Sequence, residues 1–195
     1  MPYRKLTQDG FSVVELMIAL VLAVLISIVF ITMFRTNLVQ YLNVQKDGST
    51  ATNLAAQEAR VANVIRGSTG VISAANNDLV LYSYFYPSDA YVSKLHYYIS
   101  NGQLLADLTP MSANPPTGTL LTAQMKTYTI IPNLYQASGS NLFAYYDASG
   151  STLTTPVSDL NAIKVVQVNL AATATNGGVQ SMNLQVSLRN FKTNL

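Results

Sequence analysis

The chain has 195 residues, enough for one domain plus an accessory segment. Apolar residues make up 49% and charged residues only 10%, which is oily for a water-exposed globule, so some segment must absorb the excess. The net charge of +2 comes with Arg4 and Lys5 but no basic run, and cysteine is absent; bulk electrostatics gives little reason to expect a nucleic-acid partner, and disulfides, thiolate metal sites and a cysteine nucleophile are excluded.

Residues 1–10 are polar and carry Arg4 and Lys5, and residues 11–34 follow as FSVVELMIALVLAVLISIVFITMF. Between Leu16 and Ile31 only Ser27 interrupts the apolar run. As a helix these residues span roughly 36 Å, against a hydrocarbon core of about 30 Å. No amphipathic period is visible, so the helix is oily on every side and reads as a transmembrane span. The positive leader predicts a cytoplasmic N-terminus and a C-terminal bulk on the far side. A removable secretory signal fits less well, because the run is too long and no A-x-A-like site follows it.

Glu15 sets this span apart from a plain anchor. An ionised carboxylate there costs on the order of 3 kcal/mol on the insertion scale. Its i±4 neighbours, Phe11 and Ala19, offer no partner, so the sequence predicts an external one. A cation arises nearby if the chain is cut after Gly10, because that frees the α-amino group of Phe11.

The stretch Gly10-Phe11-Ser12-Val13-Val14-Glu15-Leu16, behind a basic leader and ahead of an apolar run, resembles the leader junction of type IV prepilins and pseudopilins. The resemblance covers residues 4–34. It implies cleavage after Gly10 by a prepilin peptidase and methylation of the new N-terminal Phe11. It also implies pairing of Glu15 with the N-terminus of a neighbouring pilin or pseudopilin subunit. The implied partners are those subunits, the peptidase, an inner-membrane assembly platform, and membrane lipid before assembly. Many major pilins carry a helix-kinking proline about twenty-two residues into the mature chain; here Thr32 stands there, and no proline occurs between Pro2 and Pro87.

Residues 35–66 contain no proline, and Gly48 is their one weak point, where helix propensity drops by about 1 kcal/mol. A bend is expected there. Leu54, Val61 and Ile65 share a face with Ala55 and Ala62 beside them, which predicts an amphipathic continuation packed on a domain. Gly67-Ser68-Thr69-Gly70 ends it. The period then changes to two. Strands are expected over 79–86, 91–100, 103–108, 128–131, 142–146, 163–170 and 182–188. Asn101-Gly102 signals a type I′ hairpin, Asn176-Gly177-Gly178 another turn, and residues 111–118, with Pro115-Pro116, a loop. The fold class is α+β: a long N-terminal helix, half transmembrane and half amphipathic, on an antiparallel β domain. The expected divisions are leader 1–10, assembly helix 11–34, amphipathic helix 35–67 and extracytoplasmic domain 68–195.

Within that domain, Leu142-Phe143-Ala144-Tyr145-Tyr146-Asp147 with Gly150 and Leu153, residues 163–168, and Val186-Ser187-Leu188-Arg189-Asn190 resemble W/J-type minor pilins and minor pseudopilins. With the missing helix proline, these motifs favour a minor subunit over a major pilin.

Signals for chemistry are sparse. His96 is the single histidine, and no G-x-S-x-G elbow, phosphate-cradling loop or calcium-loop spacing of Asp78, Asp89, Asp107, Asp147 and Asp159 is present. No glutamate follows Glu58. Asp147-Ala148-Ser149-Gly150 reads as a turn. Twelve tyrosines, many clustered in 82–98 and 145–146, suit half-buried strands. The reading is therefore a non-enzymatic filament subunit without catalytic, cofactor or metal residues. It waits in the cytoplasmic membrane with its C-terminal domain outside and then joins a cell-surface filament. Two other readings compete: a pilus-borne adhesin or DNA-uptake subunit using the aromatic β face, and an anchored exported enzyme, which needs His96 to meet an Asp and a Ser.

Overall fold

A computed structural model describes residue 10 and residues 12–189. The leader residues before Gly10, the methylation candidate Phe11 and Asn190 of the closing motif lie outside the described residues. The architecture is α+β: one long helix, α1 (Val13–Arg66), and eight strands in two antiparallel sheets. The chain divides into two compact units, Met1–Gln45 and Lys46–Leu195.

In the first unit α1 is long and apolar enough to cross a membrane, and its most apolar window is wholly unburied. Leu16, Leu25 and Phe34 are 64%, 55% and 69% exposed. Such a surface is stable only in lipid or against other apolar helices. Its hydroxyls bond back to the helix itself: Ser27 Oγ donates to Ala23 O at 2.7 Å, and Thr32 Oγ1 bonds Ile28 O and Val29 O at 3.0 and 2.9 Å. That arrangement leaves no donor stranded in an apolar medium.

In the second unit the helix continues through Gly48 without a break in helical backbone. From Leu54 onward one face is buried, comprising Leu54, Glu58, Val61, Ala62, Val64 and Ile65. Gly67 ends the helix as expected: its N–H bonds Asn63 O, and the buried Ser83 hydroxyl donates to Val64 O at 2.6 Å. This satisfies a carbonyl that the helix end would otherwise orphan.

The first sheet runs β1 (Gly70–Ala74), β2 (Asp78–Ser83), β3 (Ser93–Ser100), β4 (Gln103–Pro110) and β5 (Lys126–Ile131), paired in that order. Asn101 and Gly102, at φ 50° and 70°, make the β3–β4 turn; positive φ at both positions is what a type I′ turn demands. The second sheet runs β6 (Phe143–Tyr146), β7 (Val165–Thr173) and β8 (Val179–Ser187). The sequence predicted one β domain; it is one domain with two sheets. Leu79, Leu81, Leu95 and Tyr97 of the first sheet share a core with Phe143, Tyr145, Val166 and Leu170 of the second and with the helix face.

The β1–β2 turn joins the sheets. Asn76 O accepts from Phe143 N at 2.8 Å, Asn77 Oδ1 accepts from Leu142 N at 3.0 Å, and the Tyr145 hydroxyl donates to Ala75 O at 2.9 Å. Thr155 Oγ1 also donates to Asn76 Oδ1.

Candidate functional site

The helix begins at Val13, so Ser12 is its N-cap and Glu15 its third residue. Ser12 N–H and Oγ–H both donate to Glu15 Oε2, at 2.9 and 3.1 Å, and Glu15 N–H donates to Ser12 Oγ at 3.2 Å. This is a capping box: two groups at the helix start satisfy each other's orphan donors. The expectation that no neighbour in the same turn pairs with Glu15 is therefore corrected. Its partner sits at i−3, because at an N-terminus a side chain folds back over the cap rather than forward to i+4. The signal was present as Ser12-Val13-Val14-Glu15, the S-x-x-E spacing of such boxes, and Ser12 is the residue that sequence reasoning missed.

The cap engages one carboxylate oxygen. Among the described residues no hydrogen bond reaches Oε1, so a second donor or cation has an open acceptor there. Gly10 stands two residues before the cap in non-helical backbone with no heavy atom within 4 Å of where its Cβ would be. The expected cleavage position thus has no contact from the described chain beyond its own neighbours. The positive end of the helix dipole also favours the Glu15 carboxylate at this place.

His96 lies on the outer face of β3, with Nε2 2.5 Å from Asp78 Oδ2 on β2 and its ring 4.7 Å from that of Tyr98. Both partners are half-exposed. The shallow cleft around them is lined by Asn76, Asn77, Asp78, Tyr98 and Thr155. The residues lining it include no serine, and the Thr155 hydroxyl is engaged with Asn76. A hydrolase would need a nucleophile on the free side of this pair; among the residues lining the cleft the hydroxyls are those of Tyr98 and Thr155, which bond Asp107 and Asn76. Among the described residues, no group of three His, Cys, Asp or Glu is placed to hold a metal ion.

The tyrosines divide. Tyr97 and Tyr145 are fully buried, and burial pushes both phenols well above their ordinary pKa. Tyr84, Tyr86 and Tyr91 are 38–47% exposed. They follow β2, which stops at Ser83 rather than at the expected residue 86. Phe85 beside them packs on Tyr86 and Tyr128 at 4.9 and 5.0 Å, under the Arg60 guanidinium at 4.4 Å. These three tyrosines thus belong to the segment between β2 and β3 and not to an alternating strand face, while Tyr82, Tyr98, Tyr128 and Tyr146 stand part-exposed on strands. Asp147 forms the expected turn: Oδ1 accepts from Ser149 Oγ, Ser149 N and Ser151 N at 2.7–2.9 Å, and these bonds hold its carboxyl below the usual range.

No family model, curated protein or solved structure matches the chain.

Proposed function

We propose that this chain is a non-enzymatic structural subunit of a type IV pilus-like filament, cut after Gly10 and assembled through its N-terminal helix. The observation that carries the reading is the combination at the helix start. A span apolar on all sides and unburied bears one carboxylate in its first turn, and that carboxylate keeps an acceptor open. In a single-pass anchor such a group caps the helix start but leaves one carboxylate oxygen to be desolvated without a partner. In a bundle of like helices it meets the α-amino group of a neighbour's Phe11, and the Ser12 cap holds it in the required rotamer. Apolar packing of residues 11–34 supplies the rest of the assembly energy.

A minor pilin or minor pseudopilin fits better than a major one. The helix runs through Thr32 with its hydroxyl bonded to its own backbone, where many major pilins kink at a proline. The deciding experiment is mass spectrometry of the N-terminal peptide from the native membrane. A chain beginning at Phe11, carrying an added methyl, is expected. A chain that keeps residues 1–10 where prepilin peptidase is active overturns the proposal.

A further inference from the structure

A sheet edge is a row of unpaired backbone N–H and C=O groups, and proteins blunt such edges with short strands, bulges, lysine or proline. Three of the four edges here follow that rule. Strand β1 has 5 residues and a register shift between Val71 and Ser73. Strand β5 opens on Lys126 and is closed by Pro132. Strand β6 has 4 residues, and Tyr146 at its end is already bridged to Thr152.

Strand β8 breaks the rule. It has 9 residues, VQSMNLQVS, without charge, proline or glycine. Its register with β7 runs from Val165↔Ser187 to Thr173↔Val179 without a shift. Strand β7 is the inner strand, paired with β6 and, through Leu134↔Ala172, with the segment before it. Among the described residues, no backbone hydrogen bond leaves β8 on its outer side.

The side chains of β8 also match their own reversed copy. Antiparallel pairing about a two-fold axis at Asn183 uses all nine residues. Asn183 then faces Asn183, Met182 faces Leu184, Ser181 faces Gln185, Gln180 faces Val186 and Val179 faces Ser187. Met182, Leu184 and Val186 lie on the inner side of the sheet, while Ser181, Asn183 and Gln185 are exposed on the other. At the centre of the pairing Met182 meets Leu184 on the inner face while Asn183 meets its copy and Ser181 meets Gln185 on the outer one; the two outermost pairs are mixed, Gln180 with Val186 and Val179 with Ser187, and no like charges oppose anywhere. Centring the axis on Met182 or Leu184 leaves strand ends unpaired.

We propose that β8 is a self-association edge, joining two copies of this chain into one continuous six-stranded sheet through antiparallel β8–β8 pairing at Asn183. The membrane-spanning helix takes no part, so the proposal stands apart from the filament reading.

The native chain has no cysteine, so an introduced thiol reports alone. Directly opposed residues sit about 4.5–5.5 Å apart, within disulfide reach. Two copies of position 181 are offset by four residues, about 14 Å along the strands. The experiment is mild oxidation of the full chain in membranes, read on a non-reducing gel. Asn183→Cys is expected to give a disulfide dimer at about tenfold the yield of Ser181→Cys, since only the former meets the geometric limit. The Ser181→Cys/Gln185→Cys double variant should restore the dimer. All three positions are exposed, so the fold is expected to tolerate them. Asn183→Lys, which opposes two like charges, should shift the detergent-extracted protein from dimer to monomer in sedimentation. Four results overturn the proposal: a monomeric Asn183→Cys, equal yields at 181 and 183, cross-links to a different protein only, or a dimer indifferent to Asn183→Lys.

Discussion

Glu58 offers the sharpest test of the energetics. It lies on the buried face of α1 at 8% exposure, among Leu54, Val61 and Ala62, and its Oε1 is buried with no hydrogen-bond partner among the described residues. Burial raises its carboxyl above the usual range. An unsatisfied buried polar atom costs about 1–3 kcal/mol. Glu58→Leu removes that cost and leaves an apolar side chain of similar size in an apolar setting, so a gain of about 2 kcal/mol at neutral pH is expected. For a chain of this length that is a rise of about 4–8 °C in Tm.

The sign of the pH dependence follows from the raised folded-state pKa. The native state binds the Glu58 proton more tightly than the unfolded chain does. The group therefore disfavours folding least below the unfolded carboxylate pKa of about 4.3. Stability falls as pH rises through the folded value. Glu58→Leu should accordingly gain more at pH 7.5 than at pH 4. The assay is thermal unfolding of the full chain in detergent, followed by the near-UV signal of its twelve tyrosines without tryptophan background. A lowered Tm at pH 7.5, or a pH slope unchanged by the substitution, would refute the reasoning, because either would mean that Glu58 has a partner.

Four further outcomes are expected. Glu15→Leu should insert into the membrane normally yet enter filaments poorly, measured as the ratio of sheared-filament to membrane-bound protein; normal incorporation would remove Glu15 from assembly. Ser12→Ala should fray the start of α1 by about 1 kcal/mol, visible as faster amide exchange at residues 13–16 with the rest of the helix unchanged. Tyr97→Phe removes a buried hydroxyl without a hydrogen-bond partner among the described residues and should be neutral or stabilising by about 1 kcal/mol in denaturant titration. Gly102→Ala, at φ 70°, should cost about 1 kcal/mol, measured in the same titration.

Local signals in the chain foretold whatever backbone chemistry decides. Asn101-Gly102 reads as a hairpin because few other pairs tolerate two positive φ values. The helix end at Gly67 and the turn at Asp147 were legible for similar local reasons. The buried stripe Leu54, Val61, Ile65 was legible from its period, but Glu58 and Val64 were missed. A carboxylate reads as solvated, and Val64 sits at the margin of the stripe. Residues 79–86 alternated well enough to suggest a strand of full length. It stops at Ser83, whose hydroxyl donates to Val64 O at the helix end, a tertiary contact with no local trace. The division into two sheets, and the meeting of His96 with Asp78 across paired strands, depend likewise on register between distant segments. At the N-terminus the apolar span and its acid were plain. The capping box was equally present in four consecutive residues, but i±4 spacing, which pairs side chains along a helix, does not apply at its start, where they fold back over the cap.

The β1–β2 turn has a mechanical consequence. A chain without cysteine ties its two sheets together at Ala75, Asn76 and Asn77, through the 133–135 segment that bonds both Gly102 and β7, and through their shared core. Neither sheet can open at that corner without stripping the other of a strand-entry bond and exposing the shared core. Opening one sheet therefore disturbs the other, and the domain should melt in one transition. That cooperativity does the protective work of a cross-link, because a partly opened form is what a protease cuts.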